Sequence, residues 1–146
     1  MKKQLLLIIA IALIQCINYA QTNVSTMDIS VTPIIEIDSV TGLQIDTTIV
    51  KLNVSFKVKN VNEAEHAYIL FGSVHDLGDV KTVVADFTNV GGSYQLSYNS
   101  ISYPISQYTA QAEITLTTDE ENDYDFITMY VIDINGIESN RIYFTK

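Results

Sequence analysis

The clearest pattern in the chain is a strict alternation of apolar and polar residues from Val50 to Lys59. The apolar positions of this segment are Val50, Leu52, Val54, Phe56 and Val58. Because successive side chains of a strand point to opposite faces, this period of two is typical of an antiparallel sheet with one buried face. The segment therefore predicts a half-buried strand.

Similar segments follow at intervals of roughly ten residues. Asp28–Asp38 also alternates, and Pro33, which cannot donate to the ladder, predicts an edge strand there. Ala67–Val74 is almost continuously apolar, which favours a position near the centre of a sheet. Further β-branched or aromatic segments are Lys81–Thr88, Tyr94–Tyr98, Ala112–Thr117, Asp125–Ile134 and Asn140–Thr145.

Turn residues separate these segments. Gly91-Gly92 and Asn99-Ser100 predict tight connections, and Asn135-Gly136 predicts a type I′ hairpin in which both central residues have positive φ. No segment after residue 20 has a helical period. The pattern therefore predicts an all-β, antiparallel sandwich of about seven or eight strands, with very little helix.

The first 20 residues differ from the rest of the chain. Two lysines precede an uncharged apolar run, Leu5–Ile14, and the small residue Ala20 lies at a suitable cleavage point. The run is shorter than the roughly 20 apolar residues that cross a bilayer, so it is typical of a cleaved signal helix. The alternative, an apolar helix of the mature fold, has no helical segment to pack against. The expected organisation is a signal peptide at 1–20, an N-terminal lead-in at 21–27 and a single sandwich domain at 28–146.

Cleavage after Ala20 changes both the cysteine count and the charge. It removes Cys16, the only cysteine, and Gln15 is not the small residue that lipid attachment at Cys16 requires, so a lipoprotein is disfavoured. All 17 acidic residues but only six of the eight basic ones follow position 20, which leaves a net charge of −11. Such a charge disfavours nucleic acid as a partner. We expect a bacterial protein of the periplasm or the exterior, with no integral membrane segment after cleavage.

The final stretch, Ile127–Thr145, resembles the last two strands of a fibronectin type III or related immunoglobulin-like domain. In that family an alternating strand ends in Asp or Asn, Gly and Ser before the closing strand, and Asp133, Asn135, Gly136 and Ser139 follow this order. The resemblance implies an immunoglobulin-like sandwich, with Phe56 in place of the buried tryptophan that this chain lacks. It implies adhesion, scaffolding or partner binding more often than catalysis. Because the immunoglobulin cysteines are also missing, a disulfide-pinned variety is excluded.

Residues that could support catalysis are sparse. His66 and His75 lack a metal-binding spacing, and the sequence contains no nucleophile-elbow, phosphate-loop or zinc-protease motif. The carboxylates Asp123 and Asp125 leave a hydrolase as the weakest hypothesis, since nothing in the sequence indicates a cleft around them. We therefore expect a protein that is not an enzyme.

An acidic run before the predicted strand at Asp125 is the one constellation with metal-binding potential. Its candidate ligands for Ca²⁺ are Asp119, Glu121, Asp123 and Asp125. The EF-hand pattern is absent, because Tyr124 and Tyr130 stand where it needs glycine and glutamate. A solvated, charge-rich turn is the simpler interpretation, and no cofactor is expected.

Tyrosine is the other unusual feature, with nine residues against five phenylalanines. Four of them lie in one polar stretch and are candidates for stacking on a ligand: Tyr94, Tyr98, Tyr103 and Tyr108. An exposed set would stack on sugars or anchor a protein partner, whereas packing at the edge of the core is the simpler interpretation. Tyr130 and Tyr143 are predicted on adjacent strands, on the face opposite Met129 and Phe144.

Three functions follow as hypotheses. The leading one is an exported, non-catalytic binding or adhesion module of the cell envelope or exterior, with a protein or glycan partner. The alternative is a structural or accessory subunit of a larger envelope assembly, joined through the edge strand near Pro33 or the closing strand at Asn140–Lys146. The carboxylate-based hydrolase is the third.

Overall fold

The computed structural model describes residue 22 and residues 24–37 and 44–146, and most of these residues lie in antiparallel strands. The predicted signal peptide, 1–20, lies outside the described residues. The strands of the described part are β1 (Val24–Ile37), β2 (Gln44–Val58), β3 (Ala64–Gly72), β4 (Lys81–Val90), β5 (Ser93–Tyr98), β6 (Ile101–Pro104), β7 (Thr109–Thr117), β8 (Phe126–Asp133) and β9 (Ile142–Thr145). Eight of these nine strands match predicted segments, and the short β6 is additional. β1 begins inside the predicted lead-in, 21–27.

The strands form two sheets. One has the order β1-β2-β7, and the other has the order β6-β5-β4-β3-β8-β9. Every pair of neighbours is antiparallel. β1 is an edge strand, with Pro33 opposite Val50, and β3 lies inside its sheet between β4 and β8. Both positions confirm the predictions from Pro33 and from the apolar run at Ala67–Val74.

Side chains from both sheets meet in one hydrophobic core. In β2 the alternation predicted from the sequence is confirmed, because Leu52, Val54, Phe56 and Val58 are almost completely buried. The other sheet contributes inward-facing residues of β3, β4, β5 and β8 to the same core. An all-β antiparallel fold with a shared core is therefore the architecture of the described residues.

One short helix, α1 (Thr118–Asp123), connects β7 to β8. Thr117 caps it, since the hydroxyl of Thr117 accepts from the Glu120 N–H while the Glu120 carboxylate accepts from the Thr117 N–H. Tyr124 follows the helix and is buried, with its ring 5.2 Å from the ring of Phe71. Within the described ranges no helix is long and apolar enough to cross a membrane.

The turn at Asn135-Gly136 differs from the prediction. Gly136 has positive φ, but Asn135 does not, so the predicted type I′ turn is wrong. The N–H of Gly136 donates to the carbonyl of Asp133 at 2.9 Å, and the Asp133 carboxylate accepts from the N–H groups of Asn135 and Ile137. This side-chain acceptor stabilises a different turn, which starts at Asp133, one residue earlier than the predicted turn. Asn99 and Ser100, in contrast, both have positive φ between β5 and β6.

Side chains of the segment before β9 join the two sheets. The Ser139 hydroxyl accepts from the Val131 N–H at 2.9 Å, where the ladder between β8 and β9 is interrupted. The carboxamide of Asn140 accepts from the Val24 N–H at 3.1 Å and donates to the Val24 carbonyl at 2.8 Å. Asn140 thus binds the start of β1 as a neighbouring strand would.

Candidate functional site

The outer face of the six-stranded sheet presents aromatic and charged side chains in register rows. In the first row Asp86, His66, Ile132 and Glu138 lie side by side across the strands. The second row contains Val84, Tyr68 and Tyr130, and the third contains Thr82, Leu70, Thr128 and Tyr143. Because these positions alternate with core residues such as Ile69 and Met129, the strand period places them all on the side away from the core.

Two groups of contacting rings lie on this face, His66–Tyr68–Tyr130 and Tyr143–His75–Phe126, and we call them together the aromatic strip. The rings of Tyr68 and Tyr130 stack with a centroid distance of 5.0 Å and an interplanar angle of 2°. His75 lies 4.1 Å from the Phe126 ring and 4.8 Å from the Tyr143 ring, centroid to centroid. Cross-strand aromatic pairs of this kind stabilise a sheet and leave a fixed outer surface.

Arg141 links the two parts of the strip. Its Cζ lies 4.6 Å from the centroid of the Tyr130 ring, within the range of a cation–π contact. The guanidinium donates to both carboxylate oxygens of Glu138, at 2.6 and 3.1 Å, and to Asp76 Oδ1 at 2.8 Å. The Tyr143 hydroxyl donates to Asp76 Oδ2 at 3.4 Å. One cation between two carboxylates therefore fixes the positions of the neighbouring rings.

The loop between β3 and β4 holds Asp76 in place. Asp76 has positive φ, and its N–H donates to the buried hydroxyl of Thr128 at 3.0 Å. Asp79 accepts from both the N–H and the hydroxyl of Ser73, at 3.0 and 2.7 Å, which closes the loop. A Cβ on Gly72 would lie 1.9 Å from the Leu77 carbonyl oxygen, so only glycine permits this close approach. The backbone thus places Asp76 beside Arg141.

Neighbouring charges set the ionisation of the site. The Arg141 guanidinium, as hydrogen-bond donor and positive charge, lowers the pKa of Asp76. Burial raises the pKa of Tyr130, and the Glu138 charge adds to this effect. Burial and the Asp76 charge likewise raise the pKa of Tyr143. At neutral pH the site therefore combines an ionised Asp76 carboxylate with protonated tyrosine hydroxyls that can donate hydrogen bonds.

The four tyrosines singled out in the polar stretch lie elsewhere. Tyr98 and Tyr103 face inward from β5 and β6 and pack against the core, which is the simpler of the two interpretations of the sequence. Tyr94 lies on the same face of β5 and is half-buried. Tyr108 is exposed, before β7. The structure does not bring the four rings together on one exposed surface.

The acidic run forms α1 and the residues that follow it. Glu120 pairs with Lys81 at 3.0 Å, and Glu121 pairs with Lys146 at 2.8 Å. Asp119 and Asp123 are exposed in α1, and Asp125, also exposed, follows it. Among the residues described here, no three acidic, histidine or cysteine side chains are grouped so that they could hold a metal ion. The calcium site stays a prediction from sequence alone.

Sequence reasoning found part of the strip and missed the rest. It predicted Tyr130 and Tyr143 on one outer face, and the structure places both there. His66, for which the sequence indicated no metal-binding spacing, lies within β3, with Nδ1 at 2.8 Å from Asp86 Oδ1. Tyr68, Asp76 and Arg141 had no local signal, because their contacts join segments that are distant in the chain.

The site combines fixed aromatic rings with charged groups. Its charged groups bind one another in pairs, and its rings are rigid, large and polar at one end, as in protein interfaces. No protein-family model matches the chain, and no curated protein and no solved structure matches it either.

Proposed function

We propose that the chain is an exported, non-catalytic binding or adhesion module of the cell envelope or exterior, and that the aromatic strip is its contact surface. The observation that supports this most directly is the row of cross-strand rings fixed by Arg141 on the outer face of the six-stranded sheet. Rings that are already held in place lose little conformational freedom on binding, which favours affinity.

The proposed fold is a fibronectin type III or immunoglobulin-like sandwich. The order β1-β2-β7 in one sheet and β4-β3-β8-β9 in the other supports it, because these strands correspond to A-B-E and C′-C-F-G of that fold. Tyr124 is buried at the corner before β8, where immunoglobulin-like domains place a tyrosine. Domains of this architecture present binding surfaces on many unrelated proteins.

Export to the periplasm or the exterior rests on the signal peptide predicted at 1–20. The test is the mass of the protein recovered from the periplasm or medium of cells that express the full chain. We expect a species that begins at Gln21. A species that retains Met1 or Lys2 and stays in the cytoplasm would contradict the export proposal.

The alternative function is an accessory subunit of a larger envelope assembly. The length of β1, 14 residues at the edge of its sheet, favours this alternative, because an edge strand can add a strand from another chain. At Val24, the first residue of β1, the carboxamide of Asn140 binds the backbone N–H and carbonyl. A subunit of this kind would elute as a defined larger complex with its partner.

The contact surface is tested with three variants of the secreted protein. Tyr143→Ala and Tyr130→Ala remove rings of the strip, and Tyr108→Ala removes an exposed tyrosine elsewhere. After immobilisation and incubation with an extract of the producing cells, wild type and Tyr108→Ala should retain the same partner. The two strip variants should lose it, with unchanged far-ultraviolet circular dichroism, which reports the sheets. Equal retention by all four proteins would show that the strip is not the contact surface.

A further inference from the structure

We infer that the partner of the aromatic strip is a basic, extended protein segment with positive side chains four residues apart. This inference rests on the proposed binding function and adds the chemistry of the partner. Three observations lead to it: the covered faces of the strip's central rings, the charge around the strip, and the spacing of its carboxylates.

The central rings expose edges and hydroxyls rather than faces. Tyr68 stacks on one side of the Tyr130 ring, and the Arg141 guanidinium lies over the ring as well, so both faces of Tyr130 are covered. The rings of His66 and Tyr68 are nearly perpendicular, with a centroid distance of 6.5 Å and an interplanar angle of 83°. A sugar stacks on an open ring face, whereas a peptide can use ring edges and hydroxyl groups. The geometry therefore favours a protein partner over a glycan.

The charge around the strip is negative. Four carboxylates contact its members or Arg141, and each keeps 40 to 60% of its side-chain surface exposed: Glu65, Asp76, Asp86 and Glu138. Arg141 is the cation in contact with these rings. Carboxylates in excess over cations attract a positively charged partner and repel a negatively charged one.

The carboxylates occupy the two ends of one register row. Asp86 pairs with His66, His66 with Ile132, and Ile132 with Glu138. Three strand spacings separate the ends, which is about 14 Å. An extended peptide advances about 13 Å over four residues, with the first and fifth side chains on the same side. Lysines at those two positions would each meet a carboxylate, while the third residue, on the same side of the peptide, would lie over His66 and Ile132.

The probe is a nine-residue peptide of sequence Lys-Thr-Val-Thr-Lys-Thr-Val-Thr-Lys, titrated by calorimetry into the protein purified from cells that express the full chain. Two control peptides are used: one with every Lys replaced by Glu, and one with the same composition but three adjacent lysines. We expect binding of the spaced peptide, at least about fivefold weaker binding of the clustered peptide, and no binding of the acidic peptide. Binding should weaken as salt is raised from about 0.05 to 0.3 M, because salt screens exposed charges.

The matched variants are Glu138→Gln beside the strip and Glu113→Gln on the other sheet, where Glu113 pairs with Lys51 at 2.6 Å. Glu138→Gln and Asp86→Asn should each weaken binding of the spaced peptide about fivefold or more, and Glu113→Gln should change it less than about twofold. Equal effects of Glu138→Gln and Glu113→Gln, or the absence of heat with the spaced peptide, would overturn the inference. If a partner from the cell extract still requires Tyr143 in that case, the binding function stands and only the chemistry of the partner is wrong.

Discussion

Replacing Asn140 tests how the first strand is joined to the rest of the domain. Asn140→Ala removes the two hydrogen bonds between its carboxamide and the backbone of Val24, a residue that is only 2% exposed. A hydrogen bond between neutral groups contributes about 0.5 to 1.5 kcal/mol, so the two together contribute about 1 to 3 kcal/mol. With a urea dependence of about 1 to 3 kcal/mol per molar, we expect a midpoint lower by about 1 M.

Asn140→Asp separates the hydrogen bonds from side-chain size. An ionised carboxylate still accepts from the Val24 N–H, but its second oxygen faces the Val24 carbonyl, so acceptor opposes acceptor. At neutral pH this variant should be at least as unstable as Asn140→Ala. Below about pH 4 the protonated carboxyl can donate to that carbonyl, and its stability should approach that of wild type.

The assay is urea denaturation followed by far-ultraviolet circular dichroism, with exchange of the Val24 amide proton measured in parallel. Asn53→Ala is the control, because Asn53 is exposed on β2 and should change the free energy of unfolding by less than about 0.5 kcal/mol. The reasoning is refuted if Asn140→Ala unfolds at the wild-type midpoint, or if Asn140→Asp shows no recovery in acid.

Three further predictions concern the core, a turn and alkaline pH. Leu52→Ala, at a fully buried position, should lower the free energy of unfolding by about 2 to 5 kcal/mol in urea melts, and a loss below about 1 kcal/mol would contradict the core assignment. Asp133→Ala should cost about 3 kcal/mol, since two N–H groups lose the carboxyl oxygen that accepts from them. Asp133→Asn keeps an acceptor oxygen at this position and should cost less than half as much; equal losses would refute the turn assignment. Burial raises the pKa of Tyr124, with a contribution from Glu121. The protonated Tyr124 hydroxyl therefore stabilises the fold fully below the ordinary tyrosine pKa near 10, and this stabilisation is lost as the pH rises through the pKa of the folded state. Wild type should consequently lose more free energy of unfolding between about pH 9 and 11 than Tyr124→Phe, which has no hydroxyl to ionise.

The sheets could be predicted from sequence where one face is buried and local patterns are strong. The alternation in β2 and the apolar run in β3 are local signals, and the structure confirms both. The helix α1 was missed although Thr117 and Glu120 form a capping box, because the acidic run was interpreted as a solvated turn. At Asn135 the local preference for positive φ lost to the Asp133 carboxylate, which binds two backbone N–H groups.

The site was less predictable than the fold, for a physical reason. Alternation alone places Tyr130 and Tyr143 outward, since it depends only on neighbouring residues. The stack of Tyr68 on Tyr130 requires that β3 and β8 be neighbours, and the position of Asp76 requires the loop that Gly72 permits. Pairing of distant strands is not encoded in any local pattern, so the aromatic strip becomes visible only when the strand order is known.

The stack of Tyr68 and Tyr130 also gives the protein an optical property. The chain contains no tryptophan, so its near-ultraviolet absorption comes from tyrosine and phenylalanine. Two phenol rings held parallel, with a centroid distance of 5.0 Å, couple their transitions and should give a distinct near-ultraviolet circular dichroism signal. A ligand that moves either ring would change that signal. Binding to the strip can therefore be followed on the unmodified protein, without a dye.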